Sequence, residues 1–228
     1  MLTFLPILLT LAYGLAMYRF SVWRTLKTLD ANSRILDEPE ITALTARMAQ
    51  ALDLPQVTVH LYDVDIVNGL AAPDGRVFLT RGFLNQYRSG KVTADELASV
   101  IAHELGHVAL GHARRRMIDF TGQNALMMIL STFLSRLIPG VGVLIARTIT
   151  VALAAHLSRS DEHEADAYAS ALLVKSGIGT GAQKSLFRKL GALTGSPASG
   201  IPAWLMSHPG TEDRIRAIEA REARWFQT

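Results

Sequence analysis

Cysteine is absent from this 228-residue chain, which excludes disulfides and thiolate metal sites, so any zinc must be held by histidine and carboxylate. A strong excess of one charge is also missing. The 23 Lys and Arg stand against 20 Asp and Glu, a formal net charge of +3, which is no nucleic-acid signature. The one basic cluster, Arg114-Arg115-Arg116, lacks an accompanying aromatic platform and reads as a solvated helix end or a lipid-headgroup contact. No nucleic-acid partner is expected. Met1 to Tyr18 hold no charged residue at all. What the chain has in excess is apolar surface, 49% hydrophobic residues, and two segments supply much of it.

The first is Met1 to Tyr18, about the minimum length for a helix to span a bilayer core. Tyr13, Tyr18 and Trp23 are placed to sit at an interface. A cleaved signal peptide is the rival reading, but the segment lacks a basic start and a good small-residue cleavage site. Arg19, Arg24 and Lys27 follow directly, so the positive-inside rule puts the body of the protein in the cytoplasm of a bacterial-type inner membrane, with a periplasmic location as the alternative. The second segment, Ala125 to Leu157, is broken by Arg136, Pro139-Gly140 and Arg147. It reads as a helical hairpin that meets the membrane, or as a pair of core helices. The expected organisation is an anchor or signal peptide over 1–23, a linker over 24–39, and a main domain over 40–228 with an apolar helical insert at 125–157.

Within that domain, a helical pattern starts at Glu40 and ends before Pro55, and Val57 to Tyr62 alternates like a strand. Ile66 to Ala72 and Arg76 to Thr80 flank Pro73-Asp74-Gly75, a hairpin signal. Thr93-x-x-Glu96 is a capping box that starts a helix. That helix carries His103-Glu104-Leu105-Gly106-His107. Positions i and i+4 share a helix face, so His103 and His107 can hold one metal ion together. Glu104, beside the first ligand, can take a proton from a metal-activated water. Leu97, Val100, Ile101, Leu105 and Val108 give the helix a buried side, where two histidines need polar partners.

Ser158 to Ala169 is a helix-compatible run rich in carboxylates. As a plain helix start, its acids would be favourably placed near the dipole. As half of a site, Glu162 and Asp166 lie four apart on one face. Glu162 is the preferred third metal ligand, and Asp166 can accept the other ring N–H of a liganding histidine. Glu164 is the rival, although it points away from that face, and His163 is a ligand by chemistry.

Taken in order, His103-Glu104-x-x-His107 and Ser158-Arg159-x-x-Glu162-x-x-x-Asp166 resemble the HtpX and CAAX prenyl protease family of zinc endopeptidases, in the gluzincin group. Asn68-Gly69-Leu70-Ala71 through Thr80-Arg81-Gly82 is similar to that family's segment before the zinc helix, and Ser207-His208-Pro209 with Arg214 to its C-terminal His-Pro box. The match runs from roughly Glu40 to Ala220, and the chain is similar to the family's short members. The resemblance implies a mainly α fold with a small antiparallel β-sheet (α+β) and an N-terminal membrane helix. It implies one zinc ion per chain on His103, His107 and Glu162, Glu104 as general base, and His208 as hydrogen-bond donor to the tetrahedral oxyanion. It implies that Asn68, Gly69, Leu70 and Ala71 pair with an extended substrate backbone, and that Arg214 orients the carboxylates.

The function expected is a zinc metalloendopeptidase acting on polypeptides, by resemblance on damaged or misfolded membrane-associated proteins in quality control. Lipid would be met through the N-terminal helix and 125–157. One alternative is a catalytically silent zinc-binding membrane adaptor, which would have no need of Glu104. Another is a zinc hydrolase for bonds other than peptides, which would have no need of a backbone-reading strand.

Overall fold

The computed structural model describes residues 5–193 and 211–225. In chain order the elements are α1 (Leu5–Ala31), β1 (Ser33–Ile35), α2 (Pro39–Ala51), β2 (Val59–Tyr62), β3 (Gly69–Ala71), β4 (Val77–Thr80), α3 (Arg81–Arg88), α4 (Ala94–Ala109), α5 (His112–Leu137), α6 (Gly142–Lys175), α7 (Gly181–Leu193) and α8 (Thr211–Trp225). They fall into two compact units. One holds residues 5–31 and 112–158, the other 32–111, 159–193 and 211–225.

In the first unit the uncharged N-terminal stretch is helical from Leu5, but α1 runs on through Arg19, Arg24, Lys27 and Asp30. Among the described residues no helix is long and apolar enough to cross a membrane. The stretch expected as a linker, 24–39, carries the last turns of α1 and then β1. Residues 125–157 lie in the end of α5 and the start of α6, the two arms that flank Pro139-Gly140. Gly140 turns the chain at φ +86°, and a Cβ on Gly142 would lie 2.3 Å from the Leu134 carbonyl carbon, so only glycine lets the second arm begin there. Met128, Phe133, Leu137, Leu144 and Val151 are exposed on these arms, and Leu15, Met17, Phe20 and Trp23 on α1.

The second unit is built on α4. Leu97, Ala98, Val100, Ile101 and Ala102 are all buried and meet residues of α2, α7 and the sheet in one core. The helix starts where its capping box fixes it. Thr93 Oγ1 accepts the Glu96 N–H at 3.2 Å, and Glu96 Oε2 accepts the Thr93 N–H at 2.9 Å. It stops at Gly111, whose φ of +66° ends the ladder.

The sheet has four strands in the order β1-β2-β4-β3. The Pro-Asp-Gly hairpin forms as expected: β3 and β4 pair antiparallel, with Gly75 at φ +89° and its N–H bonded to Ala72 O at 2.9 Å. The expected purely antiparallel sheet is corrected, because β2 and β4 pair in parallel, Val59 opposite Val77 and Tyr62 opposite Thr80. After β2 the chain crosses to the far edge before the hairpin turns back, so β4 slots between β3 and β2 and runs with β2. All four β4 residues are buried, whereas β2 alternates buried and half-buried. β1 supplies an edge strand that the polar composition of 30–39 concealed.

Glu96 also ties α4 to α7, accepting from Ser185 Oγ at 2.6 Å and from Lys189 Nζ at 2.9 Å. Burial alone would raise its carboxyl pKa, but Lys189, Ser185 and the Thr93 N–H outweigh it and hold the carboxyl below its ordinary 4.5. Its contribution is therefore complete above that value and is lost as pH falls through the lowered native one. Glu96→Ala is expected to cost about 1–2 kcal/mol at pH 7, the range for losing a helix cap. Urea unfolding of both proteins should show that gap closing toward pH 3.

Candidate metal centre

α4 and α6 bring the two halves of the site together. On α4, His103 and His107 lie one turn apart with their rings edge to face, centroids 4.7 Å apart. Their Nε2 atoms are 3.1 Å from each other, and Glu162 on α6 places Oε2 3.3 Å from His103 Nε2 and Oε1 3.5 Å from His107 Nε2. A tetrahedral ion with ~2.05 Å bonds has ligand–ligand edges of ~3.3 Å, so these three groups fit one zinc-sized ion. Glu164 and His163 do not join that set.

Gly106 makes the approach possible. It sits between the two histidines where α6 crosses, and a Cβ there would lie 2.9 Å from Ala165 O and 3.1 Å from Ala165 Cα. Any larger residue would push Glu162 away from the histidines.

Charge tells the same story. Glu104, Glu162 and Asp166 are buried with Arg214. With neutral imidazoles, these three carboxylates against one guanidinium leave, among the described residues, a surplus of two negative charges, which a divalent cation would cancel. Asp166 Oδ1 accepts from His103 Nδ1 at 3.0 Å, turning Nε2 toward the ligand cluster. Arg214, on α8, grips Asp166 in two places, Nε to Oδ2 at 2.6 Å and Nη2 to Oδ1 at 2.7 Å. Its Nη1 lies 3.4 Å from Glu162 Oε2, and its guanidinium carbon 4.4 Å from the Phe187 ring centroid. Arg214 Nη2 is also 3.3 Å from His103 Nδ1, a proximity of two N–H groups that share Asp166 Oδ1 as acceptor.

These contacts move the ionisation of the cluster. Burial alone would raise Asp166, but Arg214 and His103 outweigh it and hold the carboxyl well below the carboxylate range. Burial alone would lower His103, yet its bonds to Asp166 and Glu162 raise it to about 9 with protein groups alone. A proton and a metal ion therefore compete for Nε2.

Glu104 is buried beside His103. Strand β3 lies against it: a Cβ on Gly69 would be 3.3 Å from Glu104 Oε1 and 2.5 Å from Val100 Cγ1. β3 is the sheet edge, and among the described residues no strand pairs with its outer side. Thr80 N–H to Asn68 O and Ala72 N–H to Arg76 O set the alternation, so Gly69 and Ala71 turn their main-chain groups outward. Thr80 Oγ1 pins the start of the strand by accepting the Asn68 N–H at 3.0 Å. His208 falls in 194–210, outside the described residues. Sequence reasoning missed the roles of Gly106 and Thr80. Only Gly106 carried a signal, its place inside the histidine pair.

A helix-borne His-His-Glu cluster with a neighbouring carboxylate defines a metallopeptidase-type domain, and the chain belongs to peptidase family M48, whose model matches residues 36–222. It is similar to the human mitochondrial metalloendopeptidase OMA1, 27% identical over 71% of this chain and 31% of that protein. It is also similar to metalloprotease LoiP of Escherichia coli, 25% identical over 79% of this chain and 69% of the relative. To the protease HtpX homolog of Leptothrix cholodnii it is 28% identical, over 81% of this chain and 74% of the relative. The chain thus spans about a third of OMA1. The resemblance to the HtpX group drawn from the motifs holds.

Gly106→Ala is expected to weaken zinc binding at least about tenfold and to cost about 1–3 kcal/mol, as overpacking does. Chelator competition and unfolding of the purified variant check both.

Proposed function

We propose that this protein is a zinc-dependent metalloendopeptidase that hydrolyses peptide bonds of extended polypeptides. The observation that carries the reading is the cluster of His103, His107 and Glu162 at tetrahedral edge lengths, with Glu104 buried next to it under an open strand edge. A bound zinc ion supplies Lewis-acid activation of water and of the scissile carbonyl. His103, His107 and Glu162 would hold it. Glu104 accepts the proton of the attacking water and returns it to the leaving amine, so the carboxylate is regenerated each turnover. The outward main-chain groups of Gly69 and Ala71 bind the substrate backbone as an added strand, with Asn68 and Leu70 bonded inward to β4. His208 donates a hydrogen bond to the tetrahedral oxyanion, a role that rests on its motif. Asp166 and Arg214 orient the ligands.

The substrates we infer are misfolded or membrane-associated proteins. The exposed apolar residues of α1 and of the arms around Pro139 support contact with lipid. Arg19, Arg24 and Lys27 behind the uncharged stretch favour a cytoplasmic catalytic unit at an inner membrane. The silent-adaptor alternative gains nothing from these features, since it leaves a buried Glu104 without a task.

Two experiments test the reading. Purified protein with zinc is expected to cleave casein, and Glu104→Gln to lose about 10²–10⁴-fold of that activity while still binding zinc. Equal cleavage by both would remove Glu104 from the chemistry. After fractionation, the protein should sediment with membranes, and removing 125–157 or the N-terminal stretch should release it. A protein recovered entirely in the soluble fraction would overturn the lipid contact.

A further inference from the structure

Gln183, on α7, is 1% exposed and belongs to no motif of the site. Its Nε2 lies 3.3 Å from Asp166 Oδ1, and its Oε1 lies 2.9 Å from Ser170 Oγ. Which end of the amide faces Asp166 is decided by chemistry. Asp166 is gripped at both oxygens by Arg214, so it is an ionised acceptor, and only the NH₂ end can face it. The amide oxygen then faces Ser170, which must offer its proton. Ser170 has a competing acceptor in its own helix, Asp166 O at 2.7 Å, and shares one proton between the two. Its lone pairs receive Arg221 Nη1 at 3.2 Å. The donors thus run one way, from Arg221 to Ser170 to Gln183 to Asp166.

A carboxylate has about four lone-pair positions. Arg214 Nε uses one on Oδ2, while Oδ1 receives Arg214 Nη2, the His103 N–H and, at 3.3 Å, the Gln183 amide, so Gln183 bears on the same oxygen that accepts from His103. We propose that Gln183 is a positioning residue for the metal site: its amide, held by Ser170, braces Asp166 Oδ1, the oxygen that accepts from His103 Nδ1–H, and so keeps His103 in its Nδ1–H tautomer, with Nε2 toward the ion. This rests on the metal-site reading above. Without Gln183 the Asp166 carboxylate keeps both bonds to Arg214, but Oδ1 loses its contact on the Gln183 side and shifts relative to His103 Nδ1.

The test is zinc affinity by chelator competition for the full-length protein, with the visible spectrum of the cobalt-loaded form as a second readout. Gln183→Met keeps length and burial but removes the donor, and is expected to weaken zinc binding about tenfold and alter the cobalt bands. Ser170→Ala leaves Gln183 in place but removes the hydroxyl that holds its amide oxygen, and should give a smaller loss in the same direction. It also decides the matter should Gln183→Met not fold. Unchanged zinc affinity and an unchanged cobalt spectrum in the folded variants, whatever their melting temperatures, would overturn the proposal. If the wild-type protein itself bound no zinc, the metal-site reading would fail instead.

Discussion

Burying Glu104, Glu162 and Asp166 side by side is costly unless positive charge is brought to them, and among the described residues Arg214 supplies only part of what is needed. That imbalance is the constraint on which the catalytic unit depends. Arg214 is itself fully buried, held between Asp166 and the Phe187 ring, and its charge is kept by the acids around it. The helix that carries it, α8, is therefore tied to the site by charge as well as by the packing of Ile215 and Ile218 into the core. Removing either partner would leave an uncompensated charge in a dry interior.

Helix geometry turns that cluster into a site. The capping box fixes where α4 begins, and hence which turn carries His103 and His107. The bare face of Gly106 lets α6 approach closely enough for Glu162 to reach both Nε2 atoms. The hairpin then lays β3 along the same helix. Gly69 allows contact at Glu104, and Thr80 pins the strand start. Each device is local, and together they bring the His103, His107 and Glu162 cluster, Glu104 and the open edge of β3 within one small region.

Local rules made α2, α4 and the hairpin legible in the sequence. The i, i+4 histidines, the Glu162–Asp166 spacing and Pro73-Asp74-Gly75 each state a geometry within a few residues. The order of strands was not legible. Placing β4 beside β2 in parallel depends on a crossover that no local pattern encodes, and β1 is too short and polar to announce itself. Gln183 was hidden for the same reason: its partner Asp166 is on another helix, and a lone glutamine on an amphipathic helix has no spacing to betray it. The carboxylate run at 158–169 also reads as a helix start in isolation, yet it lies in the middle of α6. Glu162 and Asp166 there answer to the histidines of α4 and not to a helix dipole.

The central claim is that His103, His107 and Glu162 share one metal ion. X-ray absorption at the zinc edge of the zinc-loaded protein tests it most directly. The account predicts one ion per chain, bound by two imidazole nitrogens at ~2.0–2.1 Å and by carboxylate and solvent oxygen at ~2.0–2.2 Å. An oxygen-only shell, or an imidazole signal that survives replacement of both His103 and His107, would contradict it.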